Sequence, residues 1–222
     1  MVRIVVIAGV VSERDVLAKA GVRSVALSGT RPDGCEKAVA GLLAGKPDAL
    51  LSFGTAGGLA PGIRPGALFV AKDIVTATGE HFATDQSWSD HMASRLGVTP
   101  SDIFGSDKVL SAADKKAVFT EAGCAAADME SHIAARLAAN AGVPFAVLRA
   151  VSDADDMDLP SWLAGCVKED GSTSIGGVAA GILAHPQDIG KLIAVGRGHA
   201  RAIDALGGAL GILGPDFGFG TR

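Results

Sequence analysis

Two carboxylates and a run of glycines are the residues of this chain best placed to do chemistry. Asp128-Met129-Glu130 opens a helical pattern, and Arg149-Ala150-Val151-Ser152-Asp153 closes an apolar run. Upstream, Gly54-Thr55-Ala56-Gly57-Gly58 directly follows the apolar residues 49–53 and reads as a glycine-rich turn. Glycines there let backbone N–H groups approach an oxygen-rich ligand, and Thr55 adds a hydroxyl at the same spot. Carboxylates presented beside such a turn can exchange a proton or hold a hydroxyl. Each part alone has a plainer reading: Glu130 as a carboxylate at a helix start, Asp153 as the N-cap of the next element, the glycines as a tight turn. Their combination favours a site. Neither Gly-x-Gly-x-x-Gly nor a Walker-type lysine accompanies the glycines, which argues against a dinucleotide or triphosphate.

The elements that must position these residues follow from periodicity. After Glu130, the residues Ile133, Ala134, Leu137, Ala138 and Ala141 recur at helical spacing, and Gly142-Val143-Pro144 stops the helix. The continuous apolar run 145–148 reads as a buried parallel strand, and its polar Ser152-Asp153 end is where open α/β sheets keep their ligands. Strand-like runs at 3–8, 22–28, 49–53, 68–75 and 145–151 alternate with helical patterns at 13–20, 34–44, 87–96, 113–121 and 129–141, implying an α/β domain with a largely parallel sheet. Beyond Pro160 the pattern is helical, around 176–184 and from 188 to about 210. The second stretch sets Ile189, Leu192, Ile193, Ala200, Ile203 and Leu206 on one side, expected to pack on the sheet, with a lipid-contacting surface helix as the alternative.

Composition narrows the classes. A chain of 222 residues that is 48% hydrophobic can bury a full core, and neither a repeat nor a boundary divides it, so residues 1–222 read as one domain. A net charge of -4 without any Lys/Arg-rich run argues against a nucleic-acid partner. Cys35, Cys124 and Cys166 show no paired spacing for zinc or a disulfide framework, which fits a reducing cytoplasm and no metal. The apolar start is interrupted by Ser12-Glu13-Arg14-Asp15 and reads as a first core strand rather than a signal peptide, and no run approaches the roughly 18 apolar residues of a transmembrane segment.

The three motifs, in this order, resemble the nucleoside phosphorylase and nucleosidase superfamily, which includes purine nucleoside phosphorylases and methylthioadenosine/adenosylhomocysteine nucleosidases. Its members carry a Gly-Thr/Ser-x-Gly-Gly turn, a Met-Glu pair opening a helix, and an Arg-x-x-Ser-Asp strand end. The segment Asp128-Met129-Glu130-Ser131-His132 and the ending 212–218 resemble most its hopanoid-associated branch, which handles an adenosyl group on a triterpenoid. The resemblance implies a three-layer α/β/α sandwich with a mostly parallel sheet and a helical tail, no cofactor, a small nucleoside substrate that would be lipid-linked in the hopanoid case, and a homo-oligomer. That case would also bring a cytoplasmic protein to a membrane surface.

It further implies roles. Asp153 would protonate the departing purine at N7, beside Ser152. Glu130 would hold the ribose hydroxyls with Met129 packed on the sugar, and Thr55 and Gly57 would cradle the nucleophile. The segment Gly105-Ser106-Asp107-Lys108-Val109-Leu110 resembles the one that holds the base, placing Val109 and Leu110 against it; an ordinary strand is the other reading. Phosphorylases of the family grip phosphate with an arginine shortly after an early glycine and another before the glycine turn. Counted from Gly9, those positions here are Glu13 and Ser52. A glutamate would repel phosphate and could deprotonate water, so Glu13 points to hydrolysis. Arg31 and Arg149 are the candidates should phosphate be the nucleophile instead. A nucleoside-binding module without turnover is the alternative of another class.

Overall fold

The computed structural model describes residues 2–29, 32–168 and 171–221. The chain runs β1 (Ile4–Ala8), α1 (Val11–Lys19), β2 (Val25–Leu27), α2 (Pro32–Ala44), β3 (Ala49–Gly58), β4 (Leu68–Thr76), β5 (His81–Ala83), α3 (Gln86–Leu96), β6 (Ser101–Gly105), α4 (Ala112–Ala122), β7 (Ala126–Asp128), α5 (Ser131–Ala141), β8 (Phe145–Asp153), α6 (Ile175–Ala184) and α7 (Ile189–Leu213). Each helix anticipated from periodicity is present. Their ends carry the expected chemistry: Gly97, Gly123 and Gly142 are left-handed C-caps, and Asp85 and Ser111 accept from N–H groups of the first turn.

The α/β expectation is met, but the sheet is mixed rather than largely parallel. Its order is β2-β1-β3-β7-β6-β4-β5, with β8 pairing both β3 and β4. Pairs β1·β2, β1·β3, β3·β8, β4·β6 and β6·β7 are parallel, whereas β3·β7, β4·β5 and β4·β8 are antiparallel. The reason lies in residues 59–67, which return the chain from β3 to β4 without the crossover helix that parallel neighbours need. Since β8 bridges β3 and β4 on one side while β7 and β6 link them on the other, five strands close into a ring of pairings.

Strand alternation feeds the faces of the sheet. Val6, Ala8, Leu51, Phe53, Leu148 and Ala150 join Leu17 of α1, Trp88 and Met92 of α3 and Leu206 of α7 in one core. Their neighbours Val5, Ile7, Leu50 and Val147 join Val39 of α2 and Ile133, Ala134 and Ala138 of α5 in another. A smaller cluster, including Val75, Phe104, Leu110 and Ala127, lies where β4, β6 and β7 meet α4.

The last helix departs from expectation. Its buried residues are Gly198, Ala202, Leu206, Ala209, Leu210 and Leu213, while Ile189 and Ile193 are 44% and 50% exposed. The contact face is set by Leu206, Leu210 and Leu213 with the small Gly198, Ala202 and Ala209, and not by the isoleucines at the start of the helix. At Gly198 a Cβ would lie 2.0 Å from the Ser152 carbonyl oxygen, so α7 packs its small residues directly on the backbone of β8. No helix among the described residues is long and apolar enough to cross a membrane.

Candidate active site

The carboxyl end of β8, the glycine end of β3 and the β7–α5 junction converge on one cleft of about 180 Å³. Thr55, Gly57, Val109, Leu110, Met129, Glu130, Ser152 and Asp153 line it, together with Ser106, Lys115, Asp128 and Leu159. Val109 and Leu110 lie beyond the end of β6, on the stretch leading to α4, and Val109 is 44% exposed.

Gly54 to Gly58 is not a turn, as the sequence suggested, but the last half of β3. It stays parallel to β8, shifts register between Ala56 and Gly57, and pairs antiparallel with β7 through Gly57 and Gly58. Glycine is required here by close approach. A Cβ on Gly54 would lie 2.6 Å from Arg149 Nη1 and 2.7 Å from the Glu13 carboxyl carbon. On Gly9 it would lie 3.1 Å from Glu130 Oε1 and 3.3 Å from Glu13 Oε2. The missing side chains are the space in which two carboxylates and a guanidinium meet.

Glu13 is buried in the first turn of α1. Its Oε2 accepts from the N–H groups of Gly9 (2.8 Å) and Val10 (3.1 Å), and its Oε1 from the Thr55 N–H (2.7 Å) and hydroxyl (3.0 Å). Part of this is ordinary capping of a helix start, but the bonds to Thr55 tie α1 to β3 at the edge of the cleft. Of its four donors, only the Thr55 hydroxyl can rotate away to admit a water molecule.

Behind these groups lies Arg149, 1% exposed. Its Nε donates to Asp128 Oδ2 (2.7 Å), and its Nη2 to Ser52 Oγ (2.7 Å), Glu130 Oε2 (3.1 Å) and Ser131 Oγ (3.3 Å). Burial would lower its pKa, but Asp128, Glu130 and Glu13 together hold it above the ordinary value. Arg149, the candidate phosphate ligand, directs Nε and Nη2 to protein carboxylates and hydroxyls. Ser52, at the position of the second expected arginine, receives one of those bonds. Gly9 contributes its N–H to Glu13, and Arg31 lies outside the described residues.

Glu130 occupies the N-cap position of α5, but its side chain makes no capping bond. Asp128 fills that role, accepting from the N–H groups of Glu130 (3.1 Å) and Ser131 (2.8 Å) and from the Ser131 hydroxyl. The Glu130 carboxylate is therefore free to face the cleft, where it meets Arg149 and, at 3.4 Å, the Ser28 hydroxyl. Burial pushes its pKa up to about 7; Asp128 and Glu13 add to the rise, and Arg149 and Ser28 oppose it.

At the other end, Asp153 closes β8 instead of capping a helix. Its Oδ1 accepts from the Ser152 hydroxyl (2.7 Å) and its Oδ2 from Lys115 Nζ (2.5 Å). Lys115 also donates to the carbonyls of Ala154 (2.7 Å) and Met157 (3.2 Å). Sequence reasoning missed this lysine, because Asp114-Lys115-Lys116 reads as a solvated helix face. The capping Ser111 and Asp114, which fix the phase of α4, were the available signal. A carboxyl group at a strand end, a carboxylate over a glycine-lined space and a third carboxylate beside a hydroxyl can together protonate a leaving group, hold a diol and take up a proton.

A search of curated proteins returned no significant match. Among solved structures, an S-adenosylhomocysteine nucleosidase from Streptococcus pyogenes in complex with 5-methylthiotubericidin is similar, with 21% identity, 94% of this chain and 96% of that one covered, and a TM-score of 0.66. A 5'-methylthioadenosine/S-adenosylhomocysteine nucleosidase from Neisseria meningitidis in complex with methylthio-immucillin-A shows 18% identity, coverage of 94% and 97%, and a TM-score of 0.69. Futalosine hydrolase of Helicobacter pylori shows 21% identity, coverage of 69% and 88%, and a TM-score of 0.60. At these identities the likeness establishes the fold. The family is carried by a separate match: the model of the phosphorylase superfamily covers residues 16–98 and 98–184, well over half the chain. The protein therefore belongs to the phosphorylase superfamily and is an enzyme of the nucleosidase or nucleoside phosphorylase kind.

Proposed function

We propose that this enzyme is a nucleosidase that uses water to cleave the N-glycosidic bond of an adenosine-like nucleoside and releases adenine. The observation that carries the choice of water is the charge around the nucleophile side. Glu13, Asp128 and Glu130 surround Arg149, whose guanidinium is already bonded to two of them and to two serines. An incoming phosphate would meet surplus carboxylate, whereas a water molecule would meet a proton acceptor.

The chemistry follows from the layout. Breaking the bond between ribose and purine leaves positive charge on the sugar and negative charge on the base. Asp153 delivers a proton to the departing purine, Glu130 accepts from the ribose hydroxyls and faces the cationic sugar, and Glu13 takes the proton of the attacking water as Thr55 swings aside. Met129 packs on the sugar, and Val109 and Leu110 flank the base, in keeping with their places around the cleft. Nucleosidases among the structural neighbours support a hydrolytic assignment. A 5′ substituent of hopanoid type is supported by the likeness at residues 128–132 and 212–218, and by the apolar Leu159 at the cleft. We further assign a three-layer α/β/α arrangement, from the helices packed on both faces, and a cytoplasmic homo-oligomer, from the family resemblance.

Incubation with adenosine and 5′-substituted analogues in phosphate-free buffer is expected to yield free adenine and a reducing sugar, and Glu13→Ala to suppress both. A strict requirement for phosphate, with a ribose 1-phosphate product, would overturn hydrolysis and leave the roles of Asp153 and Glu130 intact. Tight nucleoside binding without base release under either condition would make the protein a binding module.

A further inference from the structure

Asp153, assigned above to protonate the leaving base, is bonded as though it has no proton to give. Its Oδ2 accepts from Lys115 Nζ at 2.5 Å in a buried ion pair, the pattern of an ionised carboxylate, while its Oδ1 lies 2.7 Å from the Ser152 hydroxyl, which is also directed at the Ala56 carbonyl at 3.3 Å. An anion cannot act as the acid. The proton nearest to it sits on Lys115, whose side chain is 3% exposed and whose three N–H bonds are directed at Asp153 Oδ2 and the carbonyls of Ala154 and Met157.

We propose that the proton delivered to the departing base originates on Lys115, which acts through Asp153 as its proton-supplying and positioning partner; this rests on the nucleosidase assignment above. As the glycosidic C–N bond breaks, its electron pair leaves with the base. An N–H bond of Lys115 breaks to protonate the Asp153 carboxylate, and the carboxyl group passes a proton to the base nitrogen. Lys115 is left as a neutral amine and Asp153 again as a carboxylate. The proton that Glu13 removes from water balances the one supplied, and exchange with solvent restores both groups, so the net change is nucleoside plus water to sugar plus base.

Lysine suits this task where arginine does not, because an ammonium buried in a cleft can give up its proton and a guanidinium cannot. The neighbouring charges are arranged around that one pair. Asp153 comes from β8, and Asp155, Asp156 and Asp158 from the segment after it; Asp158 accepts from the Ala112 N–H at the start of α4. Asp114 and Lys108 pair with each other at the surface, and Asp128 and Glu130 stand across the cleft beside Arg149. Among the described residues, Asp153 is the carboxylate bonded to Nζ. The carbonyls of Ala154 and Met157 fix the ammonium beside the acid and tether the turn that succeeds it.

The test compares two leaving groups. Adenosine needs a proton on its departing base, while a 4-nitrophenyl riboside releases a stable anion that does not. Lys115→Met is expected to lower adenine release by ~10²- to 10⁴-fold and nitrophenol release by less than about tenfold. Its residual adenine release should rise as the pH falls, since the proton must then reside on the carboxyl group itself. Lys115→Arg restores the positive charge and the tether, and should recover thermal stability without recovering adenine release. Equal losses on both substrates in variants of wild-type stability, or rescue of adenine release by arginine, would overturn proton supply by Lys115 and leave a charge or packing role. Should the methionine variant fail to fold, the arginine variant alone decides. Wild-type protein that cleaves neither substrate would overturn the nucleosidase assignment and this inference with it.

Discussion

Glu130 can be followed through its titration. Its carboxyl is raised from the ordinary 4.5 to about 7, chiefly by burial. The role proposed for it, accepting from ribose hydroxyls and facing a cationic sugar, requires the carboxylate. In the free enzyme kcat/KM should therefore track the ionised fraction: roughly 1% of its plateau at pH 5, about 10% at pH 6, about half at pH 7 and about 90% at pH 8. Glu130→Gln preserves size and one acceptor but cannot titrate, so the rising limb should vanish and the plateau fall by ~10²- to 10³-fold, the scale of losing one charge-stabilising partner. Stability should move in the opposite sense. Between 4.5 and about 7 the folded protein keeps a proton that the unfolded chain has lost. The stabilisation is thus complete below pH 4.5 and is lost as the pH rises through 7, by an amount on the order of 3 kcal/mol. Initial rates of adenine release at low nucleoside concentration from pH 5 to 9, at constant ionic strength, measure the first effect. Melting curves of wild type and variant over the same range measure the second, with wild type losing ground as the pH rises. A kcat/KM that is level from pH 5 to 8, or a rising limb that survives in Glu130→Gln, would refute the assignment of that proton to Glu130.

Asp153→Asn keeps the shape of the strand end and removes the acid, so kcat for adenine release should drop by ~10²- to 10⁴-fold while calorimetry still detects nucleoside binding; near-normal turnover would reduce the residue to a structural partner of Lys115. Gly198→Ala would set a Cβ 2.0 Å from a backbone carbonyl of β8, a clash that rotamer changes cannot relieve. It should cost ~1–3 kcal/mol and several degrees in Tm, and an unchanged Tm would show that α7 does not bear on that strand.

Much of this fold is written locally. The helices could be read because their caps and stops are single residues with one job, as Gly142 shows at the end of α5. Residues 81–83, 101–105 and 126–128 escaped notice as strands because they are short and lack a strong apolar pattern: β5 is mostly exposed, and β7 is Ala-Ala-Asp. Continuation of β3 through its glycines was hidden for another reason. Glycine ordinarily weakens a strand, and here it is tolerated because Glu13 and Arg149 fill the space a side chain would take at Gly54, and Asp153 crowds that space at Gly57 and Gly58. The places of Asp153, Glu130 and Glu13 followed from motif likeness. Lys115 did not, since the capping Ser111 and Asp114 set only the phase of α4, and its burial also depends on where α4 comes to rest against the end of β8. Asp128 was quoted only as part of a helix start, and its bond to Arg149 shows in no spacing.

The bonds of Arg149 have a consequence for how the chain acquires its activity. They reach Ser131, Glu130, Asp128 and Ser52, at separations of 18, 19, 21 and 97 residues, while Glu13 meets Thr55 across 42 residues and Lys115 meets Asp153 across 38. Residues 115–153 hold Lys115, Asp128, Glu130, Ser131, Arg149 and Asp153, but Glu13, Ser52 and Thr55 must be brought to them from far upstream. The entropy of closing several long loops must be met before any of these bonds can form, so the constellation assembles with the central sheet and not ahead of it. Loss of turnover in denaturant should therefore follow the cooperative loss of tertiary structure, and proteolytic fragments of the domain should be inert even where their secondary structure survives.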